Sequence, residues 1–499
     1  MIYHPEDIFL AGIKRMLDTI KFETNLHEHS HAQNRFAVIP TAEKLNADKR
    51  FSGRGVTIAF LDSGFYPHED FADRVVVFHD IFGEEKSFGS IIEPKAHHWH
   101  GTQTVASCAG NGFLSDGIYR GLASDAELVL VKVSVNGRIS DESVEKGLRW
   151  VLLNHKKFNI RVLNMSLGGD MDERFADSRI NQLAEELIRQ GVSITVAAGN
   201  SADSHPIPPA NSPSVITVGG FSDENQFESD GFKLYHSNFG TTSDGLIKPE
   251  IVAPAMYVAA PILPGTEDYK AAEILSMLSN APEYAFRALL AEYRQGGGLS
   301  PDILNLEKRE ARNLIEYNLR KRNIVAAHYK HVDGTSFAAP ITASVAAQML
   351  EANPDLPPAA VKNILISTAS KLARHPSMRQ GFGVLNAPLA VGQALRETHL
   401  FDHKNYTPPR IKGQKIVFCH HDDAARTVSL AGDFNSWKTG ETDFKQCADG
   451  VWRAEINCQP SGKYRYKFFV NGEHWTEDAS HGLKEEDGFG GFHSILYIL

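Results

Sequence analysis

The sequence predicts an α/β fold: a parallel sheet with helices on both faces, interrupted by a helical insertion and followed by a small β-sandwich. Three observations carry this. From Val56 onward, short apolar runs alternate with stretches that can hold a helix or a loop, as βαβ units around a parallel sheet do. Residues 266–327 switch to helical periodicity with balanced charges. Beyond residue 413 the pattern becomes one of short alternating strands.

Taken in order, residues 1–50 form an N-terminal extension. Ile8, Phe9, Ile13, Leu17 and Ile20 predict a helix within 5–25, and the polar stretch with His27, His29 and His31 reads as a solvated linker rather than a metal site. The main domain spans 51–400. Its strands are predicted at 56–62, 127–133, 161–167, 192–200 and 214–220. Functional residues of such sheets lie at the carboxyl ends of the strands, where Asp62 and Asn200 both fall. The insertion reads as two helical parts broken by GGGLSP at 296–301. Residues 401–412, with Pro408 and Pro409, are a linker, and 413–499 form the sandwich, inside which Cys419, Cys447 and Cys458 are expected to pack.

Bulk properties narrow the function. The chain has 499 residues, more than one domain needs, and a hydrophobic content of 42% is enough for real cores. A net charge of −10 argues against nucleic acid as a partner. No run approaches the roughly 18 apolar residues of a membrane span, so no membrane partner is expected. The N-terminal residues lack the basic start and unbroken apolar run of a signal peptide. Four cysteines without a CxxC suit a reducing compartment. The expected location is the cytoplasm, secretion requiring a leader ahead of this sequence.

Asp62, His100 and Ser336 are the residue types of one catalytic machine. Serine is a poor nucleophile unless a base takes its proton. His100 can take that proton and return it to a leaving amine, and Asp62 can hold the imidazole tautomer and stabilise the imidazolium. The small residues around Ser336 suit a turn into a helix, whose N-terminus favours developing negative charge. Asn200 can add a side-chain donor to that charge.

With DSG at 62–64, HGT at 100–102, SLGG at 166–169, AAGN at 197–200 and GTSFAAP at 334–340, residues 51–264 and 329–395 resemble the catalytic domain of subtilisin-like serine peptidases. The chain order Asp, His, Ser is that of this family. The resemblance implies a subtilisin-like sheet and an endopeptidase acting through an acyl-enzyme. It also implies that Ser166, Leu167 and Gly168 pair with an extended substrate, and that Ala197 and Ala198 line a primary pocket with room for a large apolar side chain. There are departures. Gln103 replaces a frequent histidine, and only about 50 residues precede the domain, as in the intracellular branch of the family. Asp70 matches one calcium ligand, but the loop at 111–119 lacks its partners, so neither calcium nor another cofactor is expected.

Residues 413–499, through VSLAGDFNSWKT and KYRYKFFVNGEHWTED, resemble the glycogen-binding domain of AMP-activated kinase β subunits, an immunoglobulin-like sandwich. The resemblance places Trp437 and Trp475 as sugar platforms and Lys467 as a hydroxyl donor, with α-glucan as ligand; the family's Asn near the last strand is His493 or Ser494 here. Two other readings stay open on sequence alone: a catalytically silent scaffold that binds glucan or protein, and an esterase or amidase using the same triad.

Overall fold

The computed structural model describes residues 37–85, 87–227, 229–396, 409–412, 414–460, 462–478, 484–489 and 491–498. Nearly all of these lie in one compact unit, Val38–Leu499. The helix expected within 5–25, the histidines at 27–31 and most of the 401–412 linker fall outside the described residues.

Seven parallel strands build the central sheet: β1 (Thr57–Asp62), β2 (Val75–Asp80), β3 (Glu127–Lys132), β4 (Ile160–Met165), β5 (Ser193–Ala197), β6 (Ile216–Ser222) and β7 (Ile251–Pro254). Their order is β7-β6-β5-β4-β1-β3-β2, and a short antiparallel strand, Lys233–Leu234, pairs with β6. Successive side chains of a strand point to opposite faces. In β1, Ile58 and Phe60 enter one core while Ala59 and Leu61 enter another. Helices α1 (His98–Ala109), α2 (Asp141–Asn154), α3 (Arg179–Arg189) and α4 (Thr335–Ala352) cover the sheet. The first core also takes Val105 of α1 and Ile341 of α4; the second takes Leu148 of α2 and Leu183 of α3. Helices therefore lie on both faces, as the alternating apolar runs require. The edge strands β2 and β7 gave no clear signal. Most of β2 is only half-buried, and β7 has four residues and ends in Pro254, which a central strand excludes.

The insertion stands on a hairpin. Strand β8 (Val258–Pro261) pairs antiparallel with β9 (Tyr329–Val332), and helices Glu267–Ser279, Phe286–Tyr293 and Lys308–Lys321 lie between them. The expected first part is thus two helices rather than one. Pro282 explains the break: it has no N–H to donate, and its ring pushes the residue before it out of the helical region. These helices close on a core of their own, with Leu275, Leu278, Phe286, Leu290 and Ile315 buried in it.

Two antiparallel sheets form the C-terminal module. One pairs Arg410–Lys412, Lys415–His420, Trp452–Asn457 and Lys445–Gln446; the other pairs Val428–Gly432, Gly462–Val470, Phe492–Ile498 and Lys484–Glu486, with His474–Thr476 on its side. Ile416, Phe418, Leu430, Trp452 and Phe468 fill the space between them. The cysteines do not pack there as expected. Cys419 and Cys447 are half-buried and Cys458 is exposed. Ile416 and Phe418 take the inward parity of their strand, which turns Cys419 outward, while Cys447 and Cys458 lie just past strand ends.

Candidate active site

Asp62 is the last residue of β1, with a side chain only 2% exposed. Its Oδ1 lies 2.8 Å from His100 Nδ1 and accepts the Ser63 N–H at 2.7 Å. Its Oδ2 faces the Thr104 hydroxyl at 3.2 Å. Residues four apart in a helix share a face, so α1 presents His100 and Thr104 to Asp62 together. Gly101 permits this approach, since a Cβ there would lie 2.2 Å from the carbonyl oxygen of Gly64. A carboxylate only accepts, so the proton sits on Nδ1 and Nε2 is left as an acceptor. Burial disfavours the charged ring, but the charge and hydrogen bond of Asp62 outweigh it and raise the His100 pKa above its ordinary value. Trp99 stands edge-on to the His100 ring at 5.2 Å, and Phe337 lies 6.2 Å away on the other helix.

Ser336 is the second residue of α4 and is half-buried. Gly334 precedes the helix at φ 137°, a conformation that an L side chain rarely adopts, and donates its N–H to Ala255 at 2.7 Å. The carbonyl of Ser336 accepts the Ser166 hydroxyl at 2.7 Å, and Ser166 in turn accepts from Asn164 at 3.0 Å. Asn200 follows β5 by three residues. Its Oδ1 accepts the Thr335 N–H at 2.9 Å and faces the Thr335 hydroxyl at 3.0 Å, which leaves Nδ2 as its outward donor. Among the described residues no hydrogen bond joins Ser336 to His100; such bonds are often long until substrate is bound.

The structure thus gathers Asp62, His100, Ser336 and Asn200 at strand ends and helix starts. Ser166, Leu167 and Gly168 leave the end of β4, with Gly168 exposed and Leu167 buried. Ala197 ends β5 and is buried together with Ala198. Sequence reasoning missed Ser63, Thr104 and Thr335, which orient the others. Of these, only Thr104 carried a readable signal, its i+4 spacing from His100.

Asp70 is fully buried, and both its oxygens lie 2.9 Å from the Tyr329 hydroxyl on β9. Burial pushes its carboxyl up to about 6, against that hydroxyl and the N–H groups of Leu114 and Phe113. A carboxyl held this way by protein donors fits a calcium ion poorly.

In the C-terminal module, Trp437 and Trp475 meet edge to face with centroids 6.2 Å apart. Trp475 is 44% exposed, and Trp437 donates its indole N–H to Asp433 at 3.0 Å. The His493 ring lies 4.8 Å from Trp437, whereas Ser494 is buried and accepts the Asp478 N–H; His493 is therefore the residue at the aromatic pair. Lys467 pairs with Asp487 at 2.5 Å, and it follows Tyr466, the cross-strand partner of Ser494, in its strand.

The subtilase family matches residues 53–383, and carbohydrate-binding module 48 (isoamylase N-terminal domain) matches residues 405–484. Serine protease AprX of Bacillus subtilis is 30% identical over 392 residues, 76% of this chain and 72% of that protein. Subtilisin-like protease 1 of Arthroderma gypseum is 31% identical over 199 residues, 39% of this chain and 36% of that protein. Among solved structures, fervidolysin from Fervidobacterium pennivorans aligns with a TM-score of 0.49 at 19% identity, over 86% of this chain and 55% of that one. With the parallel sheet, the residues at its strand ends and a family match that takes in most of its length, the chain belongs to the subtilase family of serine proteases and carries a C-terminal carbohydrate-binding module.

Proposed function

We propose that the chain is an endopeptidase in which Ser336 attacks the scissile carbonyl. His100 Nε2 takes the Ser336 proton as the C–O bond forms, and then gives it to the leaving amine as the C–N bond breaks. Water deacylates the resulting ester by the same route. Asp62 holds the ring and stabilises its charged form. Asn200 Nδ2 and the N–H groups opening α4 take the oxyanion. The observation that carries this reading is the locked Asn200: both contacts to its Oδ1 come from Thr335, the neighbour of Ser336, so its donor end is fixed before substrate arrives. Ser166, Leu167 and Gly168 pair with the extended peptide, and Ala197 and Ala198 line a pocket that favours a large apolar side chain. Mass-spectrometric mapping of cleavage sites in a denatured protein mixture tests this. Internal cuts after large apolar residues support it, and hydrolysis of small esters alone counts against it.

The insertion controls the leaving-group side of the site. A cavity of about 460 Å³ is lined by Trp99 and Gln103 of the His100 helix and by Thr266, Asp268 and Lys330 of the insertion and its hairpin. His100 protonates the leaving amine, so peptide released toward the His100 helix passes this cavity.

The C-terminal module places the enzyme on α-glucan, with Trp437 and Trp475 against sugar rings and Lys467 beside them. The exposed face of Trp475 next to Trp437 supports this, since large apolar surface on a soluble module is otherwise costly. Co-sedimentation of the full chain, inactivated by Ser336→Ala, with glycogen tests it. Retention that survives a Trp437→Ala, Trp475→Ala double change would leave the module as a protein-binding domain. The unpaired thiols Cys108, Cys419 and Cys447 support a reducing compartment, the cytoplasm, which cell fractionation tests.

A further inference from the structure

The approach to α1 holds a cluster that the chemistry at Asp62 does not use. Glu85, His97 and His98 each bring one ligand atom to within 4.8 Å of the others. Part of the cluster is an ion-paired network: Glu85 Oε1 lies 2.9 Å from both His98 Nε2 and Lys95 Nζ. That accounts for one oxygen. The other, Oε2, is buried with no hydrogen-bond partner, and so is His97 Nε2, while Glu85 as a whole is only 8% exposed. His97 Nε2 stands 3.7 Å from Glu85 Oε1, the oxygen that already faces His98, so a ligand between the three would satisfy the unpartnered imidazole nitrogen.

The donor types name that ligand. Two imidazole nitrogens and one carboxylate oxygen are a zinc set that leaves a fourth position for water. At metal–ligand distances of about 2.0–2.2 Å, tetrahedral ligand atoms stand roughly 3.3–3.6 Å apart. A set already within 4.8 Å closes by side-chain rotation and about an ångström of contraction. The nearby cations do not block the site. Lys132 is committed to Asp80 at 2.9 Å and Glu84 at 2.6 Å, and Lys95 is 53% exposed and can swing into solvent. His98 Nδ1 now accepts the Lys95 N–H at 3.1 Å. To ligate through Nε2, His98 shifts its proton to Nδ1 and the exposed Lys95 amide turns away.

We propose that Glu85, His97 and His98 form a zinc site at the foot of the helix that carries His100. The site has a direct line to the triad. The carbonyl of His97 accepts the Ser63 hydroxyl at 3.0 Å, and Ser63 donates its N–H to Asp62. Zinc would thus fix the segment that holds the neighbour of Asp62.

The test uses the full chain with Ser336→Ala, to prevent self-cleavage, stripped with a chelator and dialysed against micromolar zinc. His27, His29 and His31 could also take zinc, so one arm changes all three to Ala. The expected result is one zinc per chain that survives in this arm. It should weaken at least tenfold when Glu85→Gln or His97→Ala is added. Cobalt should give tetrahedral visible bands that vanish in the same variants. Glu85→Gln keeps size and hydrogen bonding, so loss of metal there cannot be laid to misfolding. Zinc retained in both added variants, or absent once His27, His29 and His31 are gone, overturns the proposal.

Discussion

Replacing Asp62 by Asn separates the charge of the carboxylate from its hydrogen bonds. The new side chain keeps its shape but has one acceptor end and one donor end. Its neighbours decide which way it turns. The Ser63 N–H and His100 Nδ1 both meet Oδ1, at 2.7 and 2.8 Å. The Thr104 hydroxyl, 3.2 Å from Oδ2, can turn its own proton to the Gly101 carbonyl at 3.0 Å and accept instead. The amide oxygen therefore stays toward the ring, and His100 keeps its proton on Nδ1. What is lost is the attraction between carboxylate and imidazolium. Charges about 4 Å apart at an effective dielectric constant of about 20 attract by roughly 4 kcal/mol, about three orders of magnitude in rate. An amide turned the other way would force the wrong tautomer and cost about 10⁴. The assay is kcat/KM against pH on a chromogenic peptide, with the His100 Nδ1 proton followed by NMR. With neutral His100 as the proposed base, wild-type activity is expected to rise with pH through the raised His100 pKa. In Asp62→Asn that limb moves to lower pH, because the carboxylate charge no longer offsets the burial of the ring, and the Nδ1 proton signal persists. A loss smaller than tenfold, an unmoved acid limb or a vanished Nδ1 proton would refute this reasoning.

Asn200→Ala should lower kcat by about 10²–10³ with little change in KM, a magnitude carried over from the equivalent donor of subtilisin rather than worked from this site; a change confined to KM counts against the oxyanion role. Replacing residues 268–325 by a short Gly/Ser linker should raise activity on large protein substrates more than on small peptides, and an equal effect on both argues against a lid. The buried trio of Lys248, Glu250 and Lys362 carries one cation too many, both ammonium groups meeting Glu250 Oε1 at 2.7 Å. Burial depresses Lys248 to about 8, so from there to its unfolded value of about 10.4 the unfolded chain binds more protons and stability rises with pH. Lys248→Met should remove that rise and stabilise the chain at pH 7 by up to about 4 kcal/mol, read from urea midpoints at pH 7 and pH 10.

The residues proposed to perform the chemistry were legible in the sequence because few residue types can do it. Asp62, His100, Ser336 and Asn200 all announce themselves by type, order and small neighbours. Residues that only orient them were not, because Ser63, Thr104 and Thr335 are ordinary hydroxyl side chains whose role comes from where α1 and α4 begin. The inner strands showed as apolar runs, while the edge strands β2 and β7, half-buried or short, blended into loops. Parity explains Cys419: composition suggested a core thiol, and the pleat turned it outward. Which of His493 and Ser494 joins the aromatic pair depended on strand register, which one residue of slip reverses.

The most direct test of the central claim is reaction of the native chain with a fluorophosphonate, followed by tandem mass spectrometry of the labelled peptide. The serine of GTSFAAP should carry the adduct, because only a hydroxyl activated by a base reacts at a useful rate. His100→Ala should abolish labelling while leaving the circular dichroism spectrum unchanged. Labelling of another serine, or labelling of Ser336 that persists in His100→Ala, would contradict the account.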